Sequence, residues 1–125
     1  MIVRDFDKIE REAANLPGME GVATQAAFAE HEALPGFLVR MFTLQPGGHT
    51  ALHWHRQQHL HYVLAGEGYV VGKDDEKIPI RSGEVVLVPS NDPHMIVNTS
   101  QDQELRFFDV AGPCGYDPNT TEPTD

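Results

Sequence analysis

From Val22 onward the chain alternates short apolar runs with glycine, proline, asparagine and aspartate. Runs of this length and spacing are typical of β-strands, and many of them in series favour a sandwich or a barrel. We expect the sheet to close or double over, because a long open sheet leaves unpaired edges. The predicted strands are 22–29, 37–44, 50–55, 59–64, 69–71, 77–80, 84–88, 95–98 and 105–110.

The two ends of the chain have different patterns. Ile9 and Ala13, four residues apart, give residues 5–15 a mild helical character, and Leu16, Pro17 and Gly18 end it. We expect residues 1–35 to form an arm that packs on the barrel or swaps with a second copy. Residues 36–111 would form the barrel. Residues 112–125, rich in proline, glycine and threonine, would form a strap or a loose tail.

Length, charge and cysteine content exclude several classes of function. A length of 125 residues suits one domain. The formal net charge of −10 repels nucleic acid and anionic membranes, so neither is an expected partner. No apolar run approaches the roughly 20 residues that span a bilayer. Cys114 is the single cysteine, which excludes an intrachain disulfide. Because the first residues also lack a signal-peptide core, we expect a cytoplasmic protein.

The histidines are clustered. Four of the seven lie between residues 53 and 61. His53 and His55 are two apart, so on a strand they point to the same face. His59 joins them if its strand begins with that side chain facing inward, and His94 comes from a distant segment. Neutral imidazoles bind zinc, iron, nickel, copper and manganese. A metal centre is one interpretation, and a coincidental cluster on a solvated loop is the other.

Two spaced motifs frame these histidines. The first is Gly47, five residues, His53, one residue, His55, three residues, His59, six residues, Gly66. The second is Gly83, five residues, Pro89, four residues, His94, three residues, Asn98. Together they resemble the two signature motifs of the cupin superfamily, over roughly residues 36–111. The resemblance implies an all-β fold, the cupin-type double-stranded β-helix or jelly-roll barrel, here with a short N-terminal helical segment. It also implies one divalent metal per chain, held by His53, His55, His59 and His94.

The chain departs from the usual cupin pattern at two positions. His59 stands where the first motif has a glutamate, and Asn91 stands where the second has a glycine. Because asparagine tolerates the left-handed conformation, the turn at Asn91 is expected to survive. Four histidines resemble a subset of small single-domain cupins, some of which are manganese proteins. Manganese is therefore the first choice, with iron, nickel, zinc and copper open. Four neutral imidazoles leave the ion its full charge and two free octahedral positions.

Three neighbours are candidate catalytic residues. His61 shares the parity of His59 and could carry a proton, or it could be a structural pocket or dimer-facing histidine. Asp109 interrupts an apolar strand and needs a partner if buried, for which Arg40 is the candidate. That pair could orient a substrate or serve as a structural ion pair. Trp54, between two ligands in sequence, is expected on the opposite face.

The resemblance favours a metal-dependent oxidoreductase, dioxygenase-like, acting on a small organic substrate. One alternative is a non-catalytic module or sensor that binds a metal or small ligand. Another is a sugar-type isomerase, a cupin activity that often needs no metal, so the intact ligand set counts against it. Small cupins are typically dimers, which implies a homodimer with residues 22–29 as the pairing edge.

Overall fold

The computed structural model describes residues 1–29 and 32–113. Within them, nine strands form one curled sheet in which every pairing is antiparallel. The strands are β1 (Glu12–Ala13), β2 (Glu20–Phe28), β3 (Leu38–His49), β4 (Gln58–Ala65), β5 (Glu67–Val71), β6 (Lys77–Arg81), β7 (Val85–Val88), β8 (Met95–Asn98) and β9 (Leu105–Gly112). Two single turns of 3-10 helix complete the elements, Phe6–Lys8 and Lys73–Asp75.

The strand order is β6-β5-β8-β3-β9-β4-β7, with β2 on β3 and β1 on β2. β3 carries the sheet around a corner, because Leu38–Leu44 pairs with β9 whereas His49 pairs with β8. The corner depends on glycine. A Cβ atom on Gly48 would lie 2.9 Å from the carbonyl oxygens of Gln45 and Glu20, which no side chain tolerates.

Alternating burial along β9 turns one face of the sheet inward. Phe107 is 1% exposed and stacks on Phe42 with ring centroids 4.9 Å apart. The ring of His61 also contacts Phe107, with centroids 4.8 Å apart and the two planes at 67°, so Phe107 lies between the apolar core and the polar end of the interior. The apolar core therefore ends where the histidines begin.

Replacing Phe107 with alanine is expected to destabilise the fold by about 3–5 kcal/mol, through lost burial and the cavity left under His61. Guanidinium unfolding measures the change. As a control, Leu52→Ala removes a side chain that is 56% exposed and should cost within about 0.5 kcal/mol. Equal costs for the two variants would contradict this description of the core.

Seven of the nine predicted strands lie within two residues of an observed strand. The expected strand 50–55 is wrong, since only His53 pairs there, in an isolated bridge with His94. The expected strand 37–44 instead continues to His49. Of the expected helical segment 5–15, only the 3-10 turn Phe6–Lys8 forms, with Asp5 as its N-cap. The rest cannot be helical because Ala13 lies in β1 and pairs with Ala23 of β2.

Two further expectations concern the pairing edge near the N-terminus and the C-terminal tail. The expected pairing edge, residues 22–29, is partly covered, since β1 pairs with Ala23 and Thr24. The expected strap at 112–125 lies outside the described residues from Cys114 onward. None of the helices in the described ranges has the length and apolar character needed to cross a bilayer.

Candidate metal centre

Three segments bring four histidines together. His53 and His55 lie in the connection between β3 and β4, His59 lies near the start of β4, and His94 immediately precedes β8. Two backbone hydrogen bonds tie the first segment to the last: the His53 amide donates to the His94 carbonyl at 3.2 Å, and the reverse pair is 3.0 Å. Asn91 adopts φ +63°, as expected, and its amide donates to the His55 carbonyl at 2.7 Å.

Each of these four imidazoles turns its Nδ1 atom towards an oxygen acceptor. The partners are the Ala51 carbonyl for His53 (2.6 Å), the Gln57 carbonyl for His55 (2.9 Å), the Asp92 carbonyl for His94 (2.8 Å) and Asp109 Oδ1 for His59 (2.8 Å). Carbonyl and carboxylate oxygens accept only, so each neutral ring carries its proton on Nδ1. The lone pair is then on Nε2 in all four rings, which is the tautomer of a metal ligand whose other nitrogen is held in place.

The four rings converge. The five centroid distances below 5.5 Å among them run from 4.6 Å, between His53 and His94, to 5.3 Å, between His59 and His94. Nε2 of His55 lies 3.0 Å from Nε2 of His59. Two lone pairs facing each other at that distance repel unless a cation lies between them. Two nitrogens at about 2.1 Å from one ion, at a right angle, are themselves about 3.0 Å apart. The candidate ligand atoms form two groups, each within 4.8 Å internally: His53, His55 and His94, and His59, His61 and Asp109. The contact between His55 and His59 joins the two groups, so that the combined donor set suits a divalent metal.

Burial favours the neutral form of His94 and His55. It lowers the pKa of His94 to about 4, and the neighbouring histidines act in the same direction. Burial and the adjacent His59 also lower the pKa of His55. A metal competes with protons for an imidazole nitrogen, so a lowered pKa favours metal binding.

Asp109 is fully buried and joins the cluster to β3. In the sheet it is directly opposite Arg40 on one side and His61 on the other. Arg40 donates to Asp109 Oδ2 from Nη2 at 2.9 Å and from Nε at 3.3 Å. Burial alone would raise the pKa of the Asp109 carboxyl, but the interactions with His59 and His61 hold it well below its usual range.

His61 lies beside the cluster, 4% exposed. Its ring stacks on that of His59 with centroids 5.1 Å apart. Nδ1 lies 3.0 Å from Asp109 Oδ1, within ion-pair distance, but has no hydrogen-bond partner among the described residues. Burial lowers the pKa of His61 despite the carboxylate next to it. The structure thus brings together all four predicted ligands and the three predicted neighbours.

A cavity of about 410 Å³ opens over the histidines. Its walls include residues that sequence reasoning missed, and two of these, Leu16 and Met19, come from the N-terminal arm. Trp54 does not face away as expected; it is 66% exposed and lines this cavity. The full lining is Leu16, Met19, Leu38, Arg40, Phe42, Thr50, His53, Trp54, His55, Gln57, His59, His61, His94, Ile96, Phe107 and Ala111.

Known proteins share the fold and between a quarter and a third of the aligned residues. An oxalate-binding protein from Thermotoga maritima is 31% identical over 114 residues, which cover 88% of this chain and 92% of that protein. Among solved structures, the polyketide cyclase RemF from Streptomyces resistomycificus superposes with a TM-score of 0.82 at 25% identity, covering 90% of this chain and 80% of RemF. A predicted oxalate decarboxylase from Thermotoga maritima gives 0.79 at 28% identity, covering 90% and 98%.

The family assignment follows from a match along most of the barrel. The family model for the cupin domain matches residues 40–111, a range that begins at Arg40 and ends just after Asp109. It includes all four clustered histidines. The curled antiparallel sheet and the relatives above agree with that match. This chain belongs to the cupin family.

Proposed function

We propose that this cupin is a metal-dependent, dioxygenase-like oxidoreductase that acts on a small organic substrate. His53, His55, His59 and His94 would hold one divalent ion through their Nε2 atoms, with manganese the first choice and iron, nickel, zinc and copper open. The observation that carries the proposal is the pair of Nε2 atoms of His55 and His59, 3.0 Å apart at the base of a cavity of about 410 Å³. A cavity of that size accommodates an organic molecule.

The electrons and atoms of a dioxygenase reaction balance without a cofactor besides the metal. Dioxygen accepts four electrons from the substrate and both oxygen atoms enter the products, with cleavage of a carbon–carbon bond in a diketone or catechol and oxidation of the sulfur atom to a sulfinate in a thiol. A divalent ion in this site would supply Lewis-acid activation of an oxygen-bearing substrate, since four neutral imidazoles offset none of its charge.

The chain's own residues would handle the proton and exclude water. Burial lowers the pKa of His61, which favours the neutral ring, the form that could accept a proton from a bound substrate. Asp109, 3.0 Å from His61 Nδ1, would then stabilise the imidazolium that forms. Apolar walls such as Phe42 and Phe107 keep water away from the reacting groups.

A non-catalytic binding module is the second candidate. The name of the 31% identical relative, an oxalate-binding protein, favours a small dicarboxylate as its ligand. Under this proposal the same four histidines hold the metal and the cavity binds without turnover. The sugar-type isomerase is less well supported, because such an enzyme would not need the convergent Nε2 atoms.

Metal analysis combined with oxygen uptake separates these functions. Purified protein is assayed for metal content and for O₂ consumption with diketones, catechols and thiols, then again after chelation and after readdition of each metal. The enzyme proposal expects about one ion per chain and uptake that chelation abolishes and one metal restores. Tight metal retention without turnover of any compound would favour the binding module. Sugar isomerisation that survives chelation would favour the isomerase.

We also propose that two copies pair through the outer face of β4 and β7. Leu60 is directly opposite Leu87 and Tyr62 is opposite Val85, and all four are between 44% and 62% exposed. Leu64, 43% exposed, extends this patch. Two chains of net charge −10 repel each other, so association favours a face without charges. A two-fold axis would place the apolar patch against its own copy.

The double variant Leu60→Glu, Leu87→Glu is expected to be monomeric, because each interface would bury four carboxylates without partners. Light scattering coupled to gel filtration measures the mass, and circular dichroism checks the fold. Ile78→Glu, at another exposed apolar position on β6, should remain dimeric. A monomeric wild-type protein at micromolar concentration would refute the interface.

A further inference from the structure

We propose that the substrate is an organic acid with an apolar body, and that Arg40 binds its carboxylate. This rests on the proposed function insofar as the acid occupies the cavity over the candidate metal centre. The reaction type alone leaves the substrate class open.

The charge distribution of the cavity is the first argument. The chain has 19 acidic and 9 basic residues, yet among the described residues that line the cavity there is one arginine and no acidic side chain. Asp109 lies behind the wall and is fully buried. Its charge and that of Arg40 offset each other, so a divalent ion on neutral imidazoles would leave the cavity positive. A recess of this kind in an acidic protein concentrates anions.

The setting of Arg40 is the second argument. Its Nε and Nη2 atoms both donate to Asp109 Oδ2, and its guanidinium carbon lies 4.6 Å from the centroid of the Phe42 ring. These contacts fix the plane of the guanidinium. Within residues 1–29 and 32–113, Nη1 has no hydrogen-bond partner, and the side chain is 23% exposed. A guanidinium whose orientation is fixed and which keeps unpaired N–H groups can donate hydrogen bonds to a carboxylate without further ordering.

The walls are the third argument, since they determine the rest of the ligand. Half of the lining side chains are apolar, including Phe42, Trp54, Ile96 and Phe107. A cavity of about 410 Å³ offers much more room than a two-carbon dicarboxylate fills. An aryl or branched alkyl group on the acid would cover these walls and displace water from them.

A matched pair of ligands tests the charge requirement. Trp54 is the chain's only tryptophan and lines the cavity, so its fluorescence reports binding. Phenylacetate, phenylacetamide and oxalate are titrated into the protein as isolated and after metal removal. We expect phenylacetate to bind at least tenfold more tightly than the uncharged amide in both forms, and in the metal-free form more tightly than oxalate. Equal affinities for acid and amide would overturn the proposal.

Substitution tests the residue. Arg40→Gln is expected to lower phenylacetate affinity at least tenfold and to leave phenylacetamide affinity unchanged, whereas Arg40→Lys keeps part of the preference. Arg106→Gln is the control, because Arg106 donates to Thr43 and Gln25 and does not line the cavity. Unchanged phenylacetate binding by a folded Arg40→Gln variant would reduce Arg40 to a structural partner of Asp109.

The two proposals fail separately. Arg40-dependent binding of the acid without oxygen uptake by any compound would remove the enzyme function and keep the substrate site. Oxygen uptake with neutral diketones, with no preference for acids, would keep the enzyme function and remove the role of Arg40.

Discussion

Replacing His59 with alanine is expected to abolish metal retention and every metal-dependent activity. His59 supplies one of the two Nε2 atoms that lie 3.0 Å apart, and it connects the cluster to Asp109. Loss of an outer hydrogen-bonding partner costs about 10–100-fold in metal affinity, and loss of a ligand should exceed that. Competition with a fluorescent chelator measures the affinity, and elemental analysis gives the stoichiometry.

The control for this variant is His49→Ala. His49 lies at the end of β3, outside the cavity lining, and its Nδ1 donates to the Thr50 carbonyl. Its loss should leave metal content and affinity at the wild-type values. A His59→Ala protein that retains one ion per chain with unchanged affinity would exclude His59 from the ligand set.

Asp109→Asn is expected to have the second large effect, on both stability and metal binding. The amide keeps the size of the side chain but leaves Arg40 without its ion-pair partner beside the core. Breaking a buried ion pair costs about 3–5 kcal/mol, and the partial exposure of Arg40 places the effect near the lower end. Because His59 Nδ1 also loses its carboxylate acceptor, metal affinity should fall about 10–100-fold.

Glu104→Gln is the matched control for Asp109→Asn. Glu104 pairs with Arg11 at 3.0 Å, but both side chains are well exposed, so the change should cost less than about 1 kcal/mol. Denaturant unfolding of metal-free protein isolates the stability effect, and chelator competition isolates the affinity effect. Equal stability of the two variants would show that the Arg40–Asp109 pair contributes no more than a surface pair.

The parity of residues along β4 and β9 was enough to predict part of the cluster, whereas the parity argument for His53, Trp54 and His55 assumed a strand that does not form. Arg40 was the candidate partner of Asp109 if that carboxylate was buried, and the sheet places β9 between β3 and β4, so that Arg40, Asp109 and His61 form one row. Asn91 was expected to adopt a left-handed conformation, and it does. These features depend on local periodicity and backbone preference, which a single sequence carries.

Features that depend on distant chain segments could not be predicted. Residues 50–55 have side chains typical of a strand, but their backbone makes only isolated hydrogen bonds to the segment around β8. One of these runs from the Thr50 amide to the Ile96 carbonyl at 2.9 Å. The acceptors that orient His53 and His55 are backbone carbonyls, which have no signature in side-chain identity. Leu16 reaches the cavity wall only because the N-terminal arm folds back over the barrel.

Anomalous scattering from crystals of the metal-loaded protein tests the central claim most directly, because it reports the element and its ligands together. We expect one peak per chain, about 2.0–2.3 Å from Nε2 of His53, His55, His59 and His94. A peak bound elsewhere, or four converged rings with no peak after soaking in manganese, iron, nickel, zinc and copper in turn, would contradict it.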